Sequence, residues 1–172
     1  MRSNAYTVWA GGVVLAFELA GGAGPVFAQD DVERENLTDI RELAIRVEEI
    51  SADAEAQGLT QRLLEDAVEE RLAERGVPVG RSRRGAELYV NVTTHEGSTG
   101  LYAYCVRVSV QQLVTIEGNR LRSLVDTWDR AGLGTVGGAN LAQVEQVVLQ
   151  IVDVFAEDYL EVNDPPSGDA RQ

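Results

Sequence analysis

The chain has 172 residues, 44% of them hydrophobic, and a formal net charge of -13. That length suits a single globular domain, and the acidity excludes two classes of partner: nucleic acid and anionic membrane surfaces are polyanions that this surface would repel. All 15 basic residues are arginine, which we read as codon bias, and Cys105 is the only cysteine, so no internal disulfide forms and the core alone must hold the fold.

Residues Met1–Ala28 read as a secretory signal peptide. Arg2 supplies the positive start, Val8–Ala20 is mostly apolar, and Val26-Phe27-Ala28 is a small-x-small cleavage site. The apolar run is shorter than the ~20 residues of a membrane span, so no stable span is expected after cleavage. The absence of a cysteine near the site argues against a lipoprotein anchor. Residues 29–36 read as a solvated acidic leader, residues 37–164 as one domain and residues 165–172 as a disordered tail.

Leu43, Ile45 and Val47 alternate, which predicts a strand over Leu43–Glu49, although Ile40, Leu43, Ala44, Val47 and Ile50 also fit a helix. Leu59–Arg75 is a clearer helix. Thr60 is its N-cap, Leu64, Val68 and Leu72 form its apolar stripe, and Gly76 with Pro78 ends it. Arg81, Arg83 and Arg84 form a basic cluster, read as solvated charge balancing nearby glutamates rather than as a docking site for an acidic group.

Glu87–Thr94 alternates as a strand, with Leu88, Val90 and Val92 on one face. The central stretch is Leu101–Ile116. Tyr102, Tyr104, Val106, Val108 and Val110 share one face, and Ala103, Cys105, Arg107, Ser109 and Gln111 share the other. Pairing His95 with Leu101 places Val92 beside Tyr104, a consistent apolar register. Glu117-Gly118-Asn119-Arg120 is a hairpin turn leading into a strand over Leu121–Asp129. That hairpin pairs Ile116 with Leu121 and Ser109 with Trp128, unless a bulge at Gln111-Gln112 shifts it. Ala131–Ala139 reads as a glycine-rich connection. Asn140 and Gln143 form a capping box for a last helix whose stripe is Val144, Val147, Val148, Ile151, Val152, Phe155 and Tyr159, stopped by Asp164-Pro165-Pro166.

Four patterns with chemical associations lack the context that their chemistry needs. Gly132-Leu133-Gly134-Thr135-Val136-Gly137 matches G-x-G-x-x-G, but no second parallel strand follows the helix, so no dinucleotide cofactor is expected. His95 and Glu96 are neighbours, and neighbours on a strand point to opposite faces. One histidine and one cysteine do not make a structural zinc site, and Asp126 and Asp129 lack a calcium-loop pattern. No catalytic, cofactor-binding or metal-ligating residue is therefore assigned.

These elements predict an α+β fold, a two-layer sandwich in which two helices cover one face of a roughly four-stranded, largely antiparallel sheet, in the order β-α-β-β-β-α. Over Leu43–Asn163 that element order resembles small bacterial envelope domains. They include the N-terminal domain of the translocation protein TolB and the accessory lipoproteins of curli secretion and lipopolysaccharide assembly. The resemblance is one of order, without a shared motif, and it implies a non-enzymatic interaction or accessory protein, periplasmic or secreted, with a protein partner in the envelope. The alternative is a small-ligand binder using the open sheet face or the glycine-rich loop. The face left free by the helices carries Tyr89, Arg107 and Trp128 as the candidate interaction surface.

Overall fold

The computed structural model describes residues 27–80 and 85–163. The expected signal peptide up to Val26, the Arg81–Arg83–Arg84 cluster, the Asp164-Pro165-Pro166 stop and the tail lie outside the described residues.

Four strands form one sheet in the order β1-β2-β3-β4: β1 is Leu43–Val47, β2 Ala86–Glu96, β3 Leu101–Thr115 and β4 Arg122–Gly137. β1 runs parallel to β2, and the other pairs are antiparallel. The connection from β1 to β2 passes through a short helix, α2 (Ala52–Ala56), and through α3 (Gln61–Arg75). After β4 a 3-10 turn, Gly138–Gln143, leads into α4 (Val144–Asn163). The expected α+β sandwich is the one observed.

Local chemistry explains most boundaries. Thr60 accepts a hydrogen bond from the Leu63 amide at 3.1 Å, and Gly76 closes α3 in the left-handed region at φ 78°. Leu64, Val68 and Leu72 of α3 are fully buried in one core with Val106, Val108 and Val110 of β3 and Val148, Val152 and Phe155 of α4. The two helices are tied by Arg71 and Arg75, which both reach Asp153, at 2.8 and 2.9 Å. No helix among the described residues is long and apolar enough to cross a membrane.

Several expectations are corrected. Residues 29–36 are not a free leader: helix α1 (Phe27–Glu35) is docked through Arg34, which donates to Asp158 and Glu161 of α4, each at 3.1 Å. The capping box is absent. Asn140 lies inside the 3-10 turn, and Gln143 bonds its side chain at 3.5 Å. β2 pairs with β3 two residues away from the expected register, Val92 facing Val106 rather than Tyr104. The slip is even, so the faces are unchanged.

The glycine-rich stretch is not a connection but the second half of β4. Gly132 and Gly134 alternate on the helix side. A Cβ at Gly132 would come 3.1 Å from Val147 Cγ1, and one at Gly134 would overlap the Tyr104 phenol. The glycines thus let α4 approach the sheet and let Tyr104 lie across its neighbour strand.

A bulge does interrupt the expected register, but between Val110 and Gln111 rather than at Gln111-Gln112, and it leaves Thr127 as the extra residue of β4. The Thr127 hydroxyl donates to the Val110 carbonyl at 3.2 Å, and its carbonyl accepts from Asn36 Nδ2 at 3.0 Å. One inserted residue reverses the facing of everything after it. Trp128 therefore pairs with Val110, not Ser109, and points into the core, where it is 1% exposed. The expected placement of Trp128 on the free face is wrong.

Candidate functional site

The helices cover the side of Val106 and Val108, leaving the other face of the sheet without a covering layer among the described residues. Strand alternation places Arg46 of β1, Glu87, Tyr89 and Asn91 of β2, Arg107, Ser109 and Gln111 of β3, and Asp126 and Asp129 of β4 on that face. Tyr89 and Arg107 stand where the sequence puts them; Trp128 does not.

Their side chains form a continuous polar ladder across all four strands. Tyr89 donates to Glu48 at 2.5 Å, and the Arg46 guanidinium stacks 4.4 Å from the Tyr89 ring centroid. Arg46 also pairs with Glu87 and donates to Gln111 at 2.8 Å. Gln111 and Ser109 both donate to Asp126 Oδ1, at 3.0 and 3.2 Å. Arg107 bridges the two acids of β4, reaching Asp126 at 3.0 Å and Asp129 at 3.3 Å. The hydrogen bond to Glu48 is the main reason the Tyr89 hydroxyl titrates above its ordinary range, because ionising it would place two anions in contact.

This arrangement holds its groups rather than activating them. Asp126 already accepts from Ser109, Gln111 and Arg107, so it is a poor base for the Ser109 hydroxyl, which is itself fully buried. His95 lies on the free face of β2 while Glu96 faces the helices, so the pair is split. Among the described residues no cluster of three or more His, Cys, Asp or Glu residues is placed to hold a metal ion. Arg107 keeps about half of its side chain in solvent, at 47%, and Asp129 keeps 40%. A flat, prearranged row of donors and acceptors with accessible ends is suited to recognising another polar surface.

Beside the ladder the same face turns apolar. Ala103, Cys105, Ala131 and Leu133 are cross-strand neighbours there, and Leu133 is 80% exposed, more than any other large hydrophobic residue among those described. Sequence reasoning missed Leu133 because its glycine neighbours read as loop. The alternation Gly132-Leu133-Gly134 was the available strand signal. It also missed Arg46 and Glu48, although Arg46 follows directly from the alternation of Ile45 and Val47.

Comparison with known proteins adds little to this picture. No family model matches the chain, and no curated protein matches it. Among solved structures, a minor lipoprotein from Acinetobacter baumannii is similar over 69% of this chain and 87% of its own, at 13% identity and a TM-score of 0.28. A likeness at that level transfers no function.

Proposed function

We propose that the protein is an exported, non-enzymatic interaction protein of the bacterial cell envelope, and that a protein partner docks on the helix-free sheet face around Tyr89 and Arg107. The observation that carries this reading is the ladder itself: four strands present a bonded row of charged and polar groups, accessible at Arg107 and Asp129, next to exposed Leu133. Accessible arginine and tyrosine beside an apolar patch is the composition of a binding hot spot. Export rests on Arg2, the apolar run Val8–Ala20 and Val26-Phe27-Ala28. The ligand-binding alternative loses its loop, since the glycines lie within β4.

Two measurements test the reading. Intact mass of the protein recovered from the envelope fraction should place the N-terminus near Gln29; a cytoplasmic product retaining Met1 would refute export. Arg107→Glu sets a third carboxylate beside Asp126 and Asp129, so it should lower the urea midpoint modestly while the circular dichroism of the folded protein stays unchanged. It should also weaken, at least tenfold, the affinity of a partner captured from envelope extract and then purified. Undiminished binding by Arg107→Glu refutes the assignment of this face.

A further inference from the structure

β4 is an edge strand sixteen residues long, whereas β1, at the opposite edge, has five residues. Long bare edges pair with other chains unless charge, proline, a bulge or a covering element blocks them. The first part of β4 is blocked. The bulge at Thr127 is capped by Asn36, and α1 packs against β4 with Glu33 paired to Arg130. The run Ala131–Gly137 has none of these protections among the described residues, and no charged residue occurs from Ala131 to Val144 in a chain that is 25% charged.

One group of exposed apolar residues, Leu113, Ile116, Leu121 and Leu124, lies at the β3–β4 hairpin; others border the open half of β4. On the sheet's free face Leu133 is 80% exposed, and Leu101, paired with Gly137, is 50% exposed. On the helix layer Val154 of α4 is 42% exposed. Val154 sits between Ile151, which lies over Gly132, and Asp158, which accepts the Trp128 indole hydrogen at 2.9 Å, so it belongs to the flank of α4 that turns toward β4. The edge is thus a cut through two apolar layers.

We infer that the occupant of this edge is a second copy of the same chain, joined β4 to β4 antiparallel about a two-fold axis at Gly134, so that two four-stranded sheets become one continuous sheet. The backbone sets this register. Even-numbered residues of β4 after the bulge bond to β3, as the Gly138 amide does to the Gly100 carbonyl at 3.4 Å, so Ala131, Leu133, Thr135 and Gly137 turn their amides and carbonyls outward. With Gly134 on the axis, Leu133 meets the second copy's Thr135, and Ala131 meets its Gly137. Each is a mutually bonded pair, giving about eight new hydrogen bonds. Side chains on the free face then place Leu133 beside a threonine methyl, and those on the helix side place glycine beside Val136. Charge favours this stretch over the remaining surface, because each copy carries a net charge of -13 and the seam opposes no charged residues. The seam uses neither Tyr89 nor Arg107, which lie on other strands, and it shares Leu133 at its border with the proposed docking face.

The test is sedimentation velocity on the exported chain from 1 to 100 µM, in about 0.15 M salt so that charge repulsion is screened. Wild type should sediment with twice the chain mass at the upper concentrations. Thr135→Pro removes an outward amide at a position where an edge strand tolerates proline, and Leu133→Lys puts a charge into the seam. Both variants should be monomeric at 100 µM with unchanged circular dichroism, while Arg107→Glu stays dimeric. A wild type that remains monomeric at 100 µM overturns the inference. So does a dimer that survives Leu133→Lys with its fold intact, or one that Arg107→Glu dissociates equally well, since the interface would then lie on the ladder face.

Discussion

Replacing Trp128 by alanine tests the central feature of the fold, the bulge that turns this residue inward. Trp128 is 1% exposed, stands edge-on to Phe155 at 5.2 Å between ring centroids and 70° between planes, and donates its indole hydrogen to Asp158 at 2.9 Å. Removing a buried tryptophan costs about 3–5 kcal/mol through lost burial and the remaining cavity. The lost hydrogen bond keeps the value toward the upper end, because a bond to a charged acceptor contributes about 1.5–3 kcal/mol. Asp158 retains Arg34 at 3.1 Å and Arg130 at 3.6 Å, so its charge is not stranded. Val106→Ala is the yardstick. Val106 is also fully buried, but it gives up only two methyl groups, about 2 kcal/mol with the cavity included. Urea melts at one protein concentration, followed by circular dichroism, should therefore place Trp128→Ala below Val106→Ala by about 1–3 kcal/mol with similar slopes. Trp128→Phe keeps the ring contact and should fall between wild type and Trp128→Ala. If Trp128→Ala loses less than Val106→Ala, the bulge is misplaced and Trp128 lies on the free face, where its removal would cost no more than about 0.5 kcal/mol.

Two further outcomes follow from the same geometry. Gly134→Val should cost about 1–3 kcal/mol in a urea melt, because the new side chain must displace the Tyr104 phenol, and an unchanged midpoint would contradict the packing of Tyr104 across β4. Stability should also fall at alkaline pH. Tyr89 is held above its ordinary range chiefly by its bond to Glu48, and Tyr102 and Tyr159 are held above theirs chiefly by burial. A folded-state value raised above the unfolded one favours the neutral form, so this contribution is complete below about pH 10 and is lost as pH rises through the raised values. The chain has no lysine to titrate in that window. Urea midpoints measured from pH 8 to 11 should decline, less steeply in Tyr159→Phe, whose lost hydroxyl bonds the Ile40 carbonyl at 2.6 Å. A flat or rising profile refutes the assignment.

The helix-free face was largely legible in the residues that the sequence sets on alternate positions. Tyr89, Arg107, Ser109 and Asp126 share that face in the folded chain as their spacing implied. What escaped was the ladder's continuation into Arg46 and Glu48. Their partners Glu87, Gln111 and Tyr89 come from strands distant in sequence, and the pairing of β1 with β2 is set by the packing of α3.

By itself the sequence determined the period of each element and therefore its two faces. The alternation of Leu88, Val90 and Val92, the matching run from Tyr102 to Val110, the Thr60 cap with Gly76, and the long stripe of α4 are local signals, and each produced its element. Tertiary structure alone decided three things. The two-residue slip between β2 and β3 leaves every face unchanged, so alternation is blind to it, and only the whole packed sheet selects it. Gly132 and Gly134 carry no propensity for a strand, and they extend β4 because Val147, Ile151 and Tyr104 need the space a side chain would fill. Last, Trp128 points inward because one extra residue, Thr127, is accommodated where it gains bonds from Gln112 and Asn36 and gives one to Val110, and burying an indole against Phe155 outweighs an unbroken ladder.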